Sequence, residues 1–210
     1  IRLDKQTSKC RPVFDAAAVD RQGRSLNSEI RETPSRLNNL FDITLRFRRY
    51  KYCVSADVTE MFLRIGLHPD DRRFHRFICR GKHYEFMSVL FGNRCSPDAS
   101  QKTLERTSND HGHKYPEAKE TVEKAVYMDD ACDSRNTEEE MVVLVQQLPQ
   151  LFEECNMVIK KFYTNSPQAL KLVPEDLRST KITIVSGDPE FEKNKVLGLS
   201  YIVLDDSYHC

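Results

Sequence analysis

The sequence predicts an α+β domain built on an antiparallel sheet, and three observations carry that prediction. Short strand patterns with turn residues between them alternate with helical patterns that have their own start signals. From Tyr52 onward the order is strand, hairpin insertion, helix, strand, strand, helix, strand; without the insertion this is the split β-α-β-β-α-β unit, with two helices on one face of the sheet. The chain of 210 residues, 39% apolar and 30% charged, has enough material for one or two cores.

The elements follow in order. Ser8 to Asp15 reads as a strand, because Pro12 pushes Arg11 out of helical geometry and Val13-Phe14 follow in extended context. Pro34-Ser35 opens a helix in which Leu37, Leu40, Phe41, Leu45 and Phe47 recur at three- and four-residue steps. Tyr52 to Asp57 is a strand that ends on a carboxylate. Phe74 to Cys79 and His83 to Met87 form a hairpin through Arg80-Gly81-Lys82. Ser96-Pro97 is an N-cap and first-turn pair for a helix to about Asn109. Lys124 to Met128 and Ala131 to Ser134 are strands meeting at a turn made of Asp129-Asp130. Thr137 and Glu140 form a capping box ahead of an apolar face of Met141, Leu144, Val145, Leu148, Leu151 and Phe152, and Pro149 predicts a kink or an early end near Leu148. Met157 to Tyr163, Lys181 to Ser186 and Lys195 to Leu204 are the remaining strands.

No apolar run approaches the roughly 20 residues of a bilayer span, and no signal peptide opens the chain, so no membrane partner is expected. The chain opens on Ile1 and ends inside an apolar pattern, as a piece of a longer polypeptide would. Seven scattered cysteines without a C-x-x-C pair fit a reducing compartment, and the lone His111/His113 pair reads as a solvated loop. The 32 basic and 32 acidic residues cancel overall but not locally. Residues 46–82 carry ten basic against four acidic residues, interleaved with Phe47, Tyr50, Tyr52, Phe74 and Phe77, a composition suited to phosphates and stacked bases. Residues 117–155 carry eleven acidic against three basic, a stretch that faces solvent or gathers cations.

In a split β-α-β-β-α-β sheet the end of the first strand lies beside the turn joining the second and third. Asp57 is therefore expected to approach Asp129 and Asp130, far away in sequence. Three carboxylates at one edge repel one another and raise one another's pKa unless a cation neutralises them. Oxygen donors without a nearby histidine or thiol select a hard divalent ion, Mg²⁺ or Mn²⁺. Two such ions about 3.5–4 Å apart serve in-line displacement at phosphorus, the chemistry of nucleotidyl transfer.

The surrounding text resembles reverse transcriptases. Tyr127-Met128-Asp129-Asp130 after Ala125-Val126 is similar to their Y-x-D-D box, and Ala56-Asp57-Val58-Thr59-Glu60-Met61-Phe62 to their first aspartate motif. Arg11-Pro12-Val13-Phe14-Asp15 resembles the fingers strand, Ser25-Leu26-Asn27 the S-L-N segment, Phe91-Gly92 with Ser96-Pro97 the F-G…S-P segment, and Val196-Leu197-Gly198-Leu199 the primer-grip hairpin. Val13-Phe14-Asp15-Ala16, Leu40-Phe41-Asp42-Ile43, Arg46-Phe47-Arg48, His68-Pro69-Asp70-Asp71-Arg72 and Thr164-Asn165-Ser166-Pro167 are most similar to the Bel/Pao class of long-terminal-repeat retrotransposons.

The resemblance implies a right-hand polymerase palm with a partial fingers subdomain and no thumb. Fingers and the first palm strand would occupy 1–56, the first aspartate motif 57–67, a fingers hairpin insertion 68–95, the palm 96–180 and the primer-grip hairpin 181–210. The implied activity is RNA-directed DNA synthesis from deoxynucleoside triphosphates on a primed RNA or DNA template, with two Mg²⁺ or Mn²⁺ ions. Thumb, protease, RNase H and integrase would be the other parts of the polyprotein, in a cytoplasmic virus-like particle or the nucleus. Asp57, Asp129 and Asp130 take the catalytic and metal-binding positions, with the Val58 carbonyl facing a metal. Arg11 takes the triphosphate-binding position, with Lys5 or Lys9 as companion. Thr59, Glu60 and Met61 line the nucleotide, Glu60 and Met61 through backbone only. Phe62 falls at the steric gate that rejects a ribose 2′-hydroxyl. Tyr127, Met128, Phe91, Gly92, Leu197 and Gly198 take template-primer positions.

Two departures from the family pattern stand out. The expected tryptophan-containing stretches read Lys161-Phe162-Tyr163 and Leu199-Ser200-Tyr201, and there is no tryptophan in the chain. The Phe91 position holds a glutamine in many retroviral enzymes, so a polar nucleotide contact is absent, but the class resembled carries phenylalanine there and the difference does not count against activity. The alternative reading is a catalytically inactive relic or co-opted module that binds nucleic acid or protein. A metal-dependent phosphohydrolase is weaker, because no histidine or further carboxylate accompanies the Asp57 motif.

Overall fold

The computed structural model describes residues 14–179, 194–197, 199–202 and 207–209. Its helices and strands, in chain order, are α1 (Leu26–Glu29), α2 (Leu40–Phe47), β1 (Tyr52–Thr59), α3 (Pro69–Arg72), β2 (Arg76–Cys79), β3 (Lys82–Glu85), α4 (Ser96–His111), α5 (Pro116–Lys124), β4 (Val126–Tyr127), β5 (Asp130–Arg135), α6 (Glu138–Glu153), β6 (Val158–Thr164), α7 (Pro167–Leu172), β7 (Asn194–Val196), β8 (Leu199–Ile202) and β9 (Ser207–His209). The chain divides into two compact units, one of Ile1–Ser35 with Phe62–Ser100, the other of Arg36–Met61 with Gln101–Cys210.

The larger unit carries the predicted sheet. Its strand order is β4-β5-β1-β6, and every neighbouring pair is antiparallel, as the split β-α-β-β-α-β connectivity requires. Helix α6 touches β1, β5 and β6, and α5 packs on α6 and on β5. Alternation along β1 sends Val54, Ala56 and Val58 to one face, all buried, and Cys53, Ser55 and Asp57 to the other. On that second face Ile43 and Phe47 of α2 cluster with Cys53, Cys132 and Tyr163, and Tyr127 and Leu197 pack against the cluster. Ile43 and Phe47 are fully buried, each stabilising the fold by about 1.5–3 kcal/mol.

An ionic knot ties α2 to the sheet edge. Strand β4 has only two residues, so β5 runs on past it. Asp133 of β5 is fully buried; Arg46 Nε lies 2.7 Å from its Oδ1, and Arg135 Nη1 2.8 Å from its Oδ2. Thr121 Oγ1 of α5 donates to the same carboxylate at 2.7 Å, and Arg46 and Arg135 reach Glu120 and Glu117.

The smaller unit holds α1, α3 and the β2–β3 hairpin, which pairs Arg76 with Glu85 and Cys79 with Lys82. Phe14, Phe77 and Phe86 pack ring against ring beneath it, with Tyr84 stacked on Phe77. The loop Phe91–Arg94 is clamped by one side chain. Asn27 Nδ2 donates to the Gly92 carbonyl at 2.9 Å, and Asn27 Oδ1 accepts from the Arg94 amide at 2.8 Å. Gly92 has φ +95°, and a Cβ there would come 2.5 Å from the Phe14 carbonyl oxygen, so only glycine fits.

Several expectations need correction. Helix α2 begins at Leu40, where Asn39 caps it by accepting from the Phe41 amide; residues 34–39 are not helical, and Phe41 and Leu45 point to solvent while Ile43 and Phe47 are buried. Helix α6 runs through Pro149 to Glu153, because Leu148, Leu151 and Phe152 are all buried and hold the last turn despite the missing amide. Lys124 belongs to α5, an element the sequence reading lacked, and the strand after it is only Val126–Tyr127. The turn following it consists of Met128 and Asp129, so Asp130 is a strand residue. Thr137 and Glu140 form the expected capping box. The expected strand Lys181 to Ser186 lies outside the described residues, as does that of Ser8 to Asp15 except for Phe14 and Asp15, which are not in a strand.

Candidate active site

Strand register brings the acidic residues together. Asp57 of β1 is directly opposite Asp130 of β5, and directly opposed residues of an antiparallel pair project to the same face. The turn is stitched to β1 by its backbone, since the Val58 amide donates to the Asp129 carbonyl at 2.6 Å. Met128 takes φ +53°, an uncommon conformation for a non-glycine residue, which lets a two-residue turn join β4 to β5. Asp129 is exposed at the tip, while Asp57 and Asp130 are half-buried.

The electrostatics follow from this crowding. Burial, then the charges of Asp129 and Asp57, push the Asp130 carboxyl up to about 6, while Lys161 pulls it the other way. Lys161 is the residue that sequence reasoning missed. Its ammonium lies 2.8 Å from Asp57 Oδ2. It gets there through a β-bulge: between Ser55↔Tyr163 and Asp57↔Lys160 the β6 side has one extra residue, and Lys161 sits at φ +55°. Such bulges re-aim a side chain at the cost of a broken ladder, and simple alternation along a strand cannot reveal them.

Among the described residues, no group of three or more His, Cys, Asp or Glu side chains is drawn together closely enough to hold a metal ion. The three aspartates share an edge rather than a finished cage. Their chemistry nonetheless fits a hard divalent cation: all donors are oxygens, and burial together with repulsion from Asp129 and Asp57 already raises Asp130, a strain that such a cation relieves.

The other candidates are distributed as follows. Thr59 ends β1 with its Oγ1 buried and without a hydrogen-bond partner among the described residues. Glu60 adopts φ +54°, and Met61 is buried, leaving its backbone as the part able to meet a ligand. Phe62 and Phe91, in the smaller unit, are half-buried and meet edge to face with centroids 5.1 Å apart. Gly92 lies in the loop clamped by Asn27. Tyr127 and Leu197 pack on the α2 cluster under the face that carries Asp57, and Met128 is in the turn. Lys5, Lys9, Arg11 and Gly198 lie outside the described residues.

Comparison with solved structures gives the foamy viral protease-reverse transcriptase in complex with an RNA/DNA hybrid (18% identity, TM-score 0.52, 64% of this chain and 17% of that one). The same viral protein in complex with double-stranded DNA matches at 16% identity and TM-score 0.54, over 64% of this chain and 22% of that one. The native protease-reverse transcriptase of Prototype Foamy Virus matches at 21% identity and TM-score 0.52, over 66% and 18%. At these identities the likeness is one of fold, that of a partial polymerase palm, and the chain spans about a fifth of the length of these structures. No curated protein matches the chain. The family model "Reverse transcriptase (RNA-dependent DNA polymerase)" matches residues 4–162, which take in the paired Asp57 and Asp130 and the turn between β4 and β5, and the chain therefore belongs to the reverse transcriptase family.

Proposed function

We propose that this chain is the fingers-and-palm portion of an RNA-directed DNA polymerase from a Bel/Pao-type retrotransposon, adding deoxynucleotides to a primer 3′ end by two-metal nucleotidyl transfer. The observation that carries the reading is the register of Asp57 against Asp130, with the Asp129 backbone tied to Val58. Family membership supports the reaction class, and the foamy viral relatives, solved with an RNA/DNA hybrid and with double-stranded DNA, support a primed template as partner.

In this reading Asp57, Asp129 and Asp130, with the Val58 carbonyl, would hold Mg²⁺ or Mn²⁺. When bound, the ions would neutralise phosphate charge and make the primer hydroxyl a better nucleophile. The chain's own work is to orient the reactants. The stitched turn holds Asp129 and Asp130 against β1, Tyr127, Met128, Leu197 and Gly198 support the primer end, and Arg11 with Lys5 binds the triphosphate. Thr59, Glu60 and Met61 line the nucleotide, Phe62 faces its sugar, and Phe91 and Gly92 meet the template side. Assembly with thumb, RNase H and integrase in a cytoplasmic particle belongs to the same proposal.

The test is primer extension with Mg²⁺ and deoxynucleotides by the native full-length polypeptide that carries this chain. Asp129→Asn should abolish incorporation, and undiminished synthesis would remove the catalytic assignment. One observation favours a second reading, a binding module without chemistry: Asp57 already has a cationic partner in Lys161. That reading predicts salt-dependent nucleic-acid binding indifferent to loss of the carboxylates.

A further inference from the structure

Lys161 is itself a cation at the acidic edge. Its ammonium meets Asp57 Oδ2 at 2.8 Å, and its charge also reaches Asp130, opposing the rise caused by burial and the other two acids. Lys160 is the residue directly opposite Asp57, yet the ion pair goes to Lys161, which the β-bulge and a φ of +55° aim there. The backbone is thus committed while the side chain stays free to move. That side chain is 46% exposed, and β6 is the outermost strand of its sheet, so a long flexible stem can swing outward without crossing the core.

Resting on the polymerase reading, we propose that Lys161 is a placeholder for the divalent cation: it neutralises Asp57 in the metal-free site and is displaced outward when Mg²⁺ or Mn²⁺ binds, so that it sets how tightly the metal is held. The charges decide the exchange. A dication and an ammonium on one carboxylate repel each other, and a partly exposed ion pair contributes too little to keep the lysine in place against that repulsion. Before the exchange, the same ammonium offsets part of the repulsion among Asp57, Asp129 and Asp130. Holding the place weakens metal binding by roughly two- to tenfold, the combined effect of an exposed pair that must be broken and a like charge that must leave.

The experiment measures Mn²⁺ binding by the native full-length polypeptide without primer or nucleotide, from the electron paramagnetic resonance signal of the free ion. It is run at about pH 8, above the Asp130 value of about 6. Sites at the acidic edge are those that Asp57→Asn removes. Lys161→Met and Lys161→Gln should tighten them roughly two- to tenfold, and Lys160→Met by under about twofold. Trace acetylation of lysines, read by mass spectrometry, follows the displacement itself: Mg²⁺ should raise labelling of Lys161 and leave Lys160 unchanged. If Lys161→Met leaves the affinity unchanged or weakens it, or if Mg²⁺ does not alter Lys161 labelling, the lysine is a fixed partner and the proposal fails, with the polymerase reading untouched. Equal tightening by Lys160→Met would mean that only overall charge matters, and the proposal fails likewise. If Asp57→Asn removes no Mn²⁺ site, the metal assignment of the polymerase reading falls and takes this inference with it.

Discussion

The Lys161 ammonium lies 2.8 Å from the Asp57 carboxylate, joining β6 to the strand that carries the first acid of the site. With Lys161 in place, the positive charge at this edge holds the Asp130 carboxyl below the level that burial and its two acidic neighbours would otherwise impose. Lys161→Met should therefore move Asp130 above its present value of about 6. Titration of the Asp130 side-chain carboxyl by carbon NMR, without divalent ions, reads this directly; an unchanged or lower midpoint would contradict the electrostatic account.

Asp130 also makes stability depend on pH. Its folded pKa of about 6 stands above the ordinary carboxylate value of 3.8, so the native state holds the proton more tightly than the unfolded chain. Ionised Asp130 therefore costs stability: nothing below pH about 4, increasingly as pH rises, and fully above about 6. Asp130→Asn should be more stable than wild type at pH 7 by about 1–3 kcal/mol, with the gain vanishing near pH 4. Urea unfolding in chelator at both pH values decides it, and equal gains at both would refute it.

Gly92→Ala tests the clamped loop. The new methyl would meet the Phe14 carbonyl oxygen at 2.5 Å from a backbone at φ +95°. A loss of about 1–3 kcal/mol is expected, seen as a lowered melting temperature, whereas Gly23→Ala, with nothing within 4 Å of its Cβ, adds only the strain of its φ of +77°. Equal effects at the two positions would show that contact with Phe14 is unimportant.

Asp133→Asn should be the most damaging of these substitutions. It leaves Arg46 and Arg135 facing a neutral amide in a buried place, and breaking a buried ion pair costs about 3–5 kcal/mol. Arg46→Met with Asp133→Asn should cost less than the two separate losses combined, and a double-mutant cycle measures the difference. Strict additivity would mean that the knot is not a unit.

Much of this site can be read from the chain alone, for identifiable reasons. Asp57 and the Asp129-Asp130 pair announce themselves because β1 alternates cleanly and the capping box at Thr137 fixes where α6 begins, so topology brings the acids to one edge. Lys161 does not, because its orientation depends on one extra residue in β6. Asp133 and Arg46 also escape, since a buried charge in β5 looks like any polar strand residue until its partners on α2 and α5 are known. Helix α5 has only Ala118 and Val122 as buried apolar side chains, too few for periodicity to stand out, although Pro116 in its first turn is a start signal. Pro149 misleads in the opposite sense, because a local rule gives way to tertiary packing.

The bulge in β6 has an unusual consequence for deletion mutants. Removing Lys160 alone would let the ladder close flat with Lys161 directly opposite Asp57, so by the two-residue pleat the surviving lysine would stay on the acidic face. The left-handed backbone at Lys161 would no longer be required. A single in-frame codon loss would thus keep the counter-charge while erasing the irregularity that now delivers it.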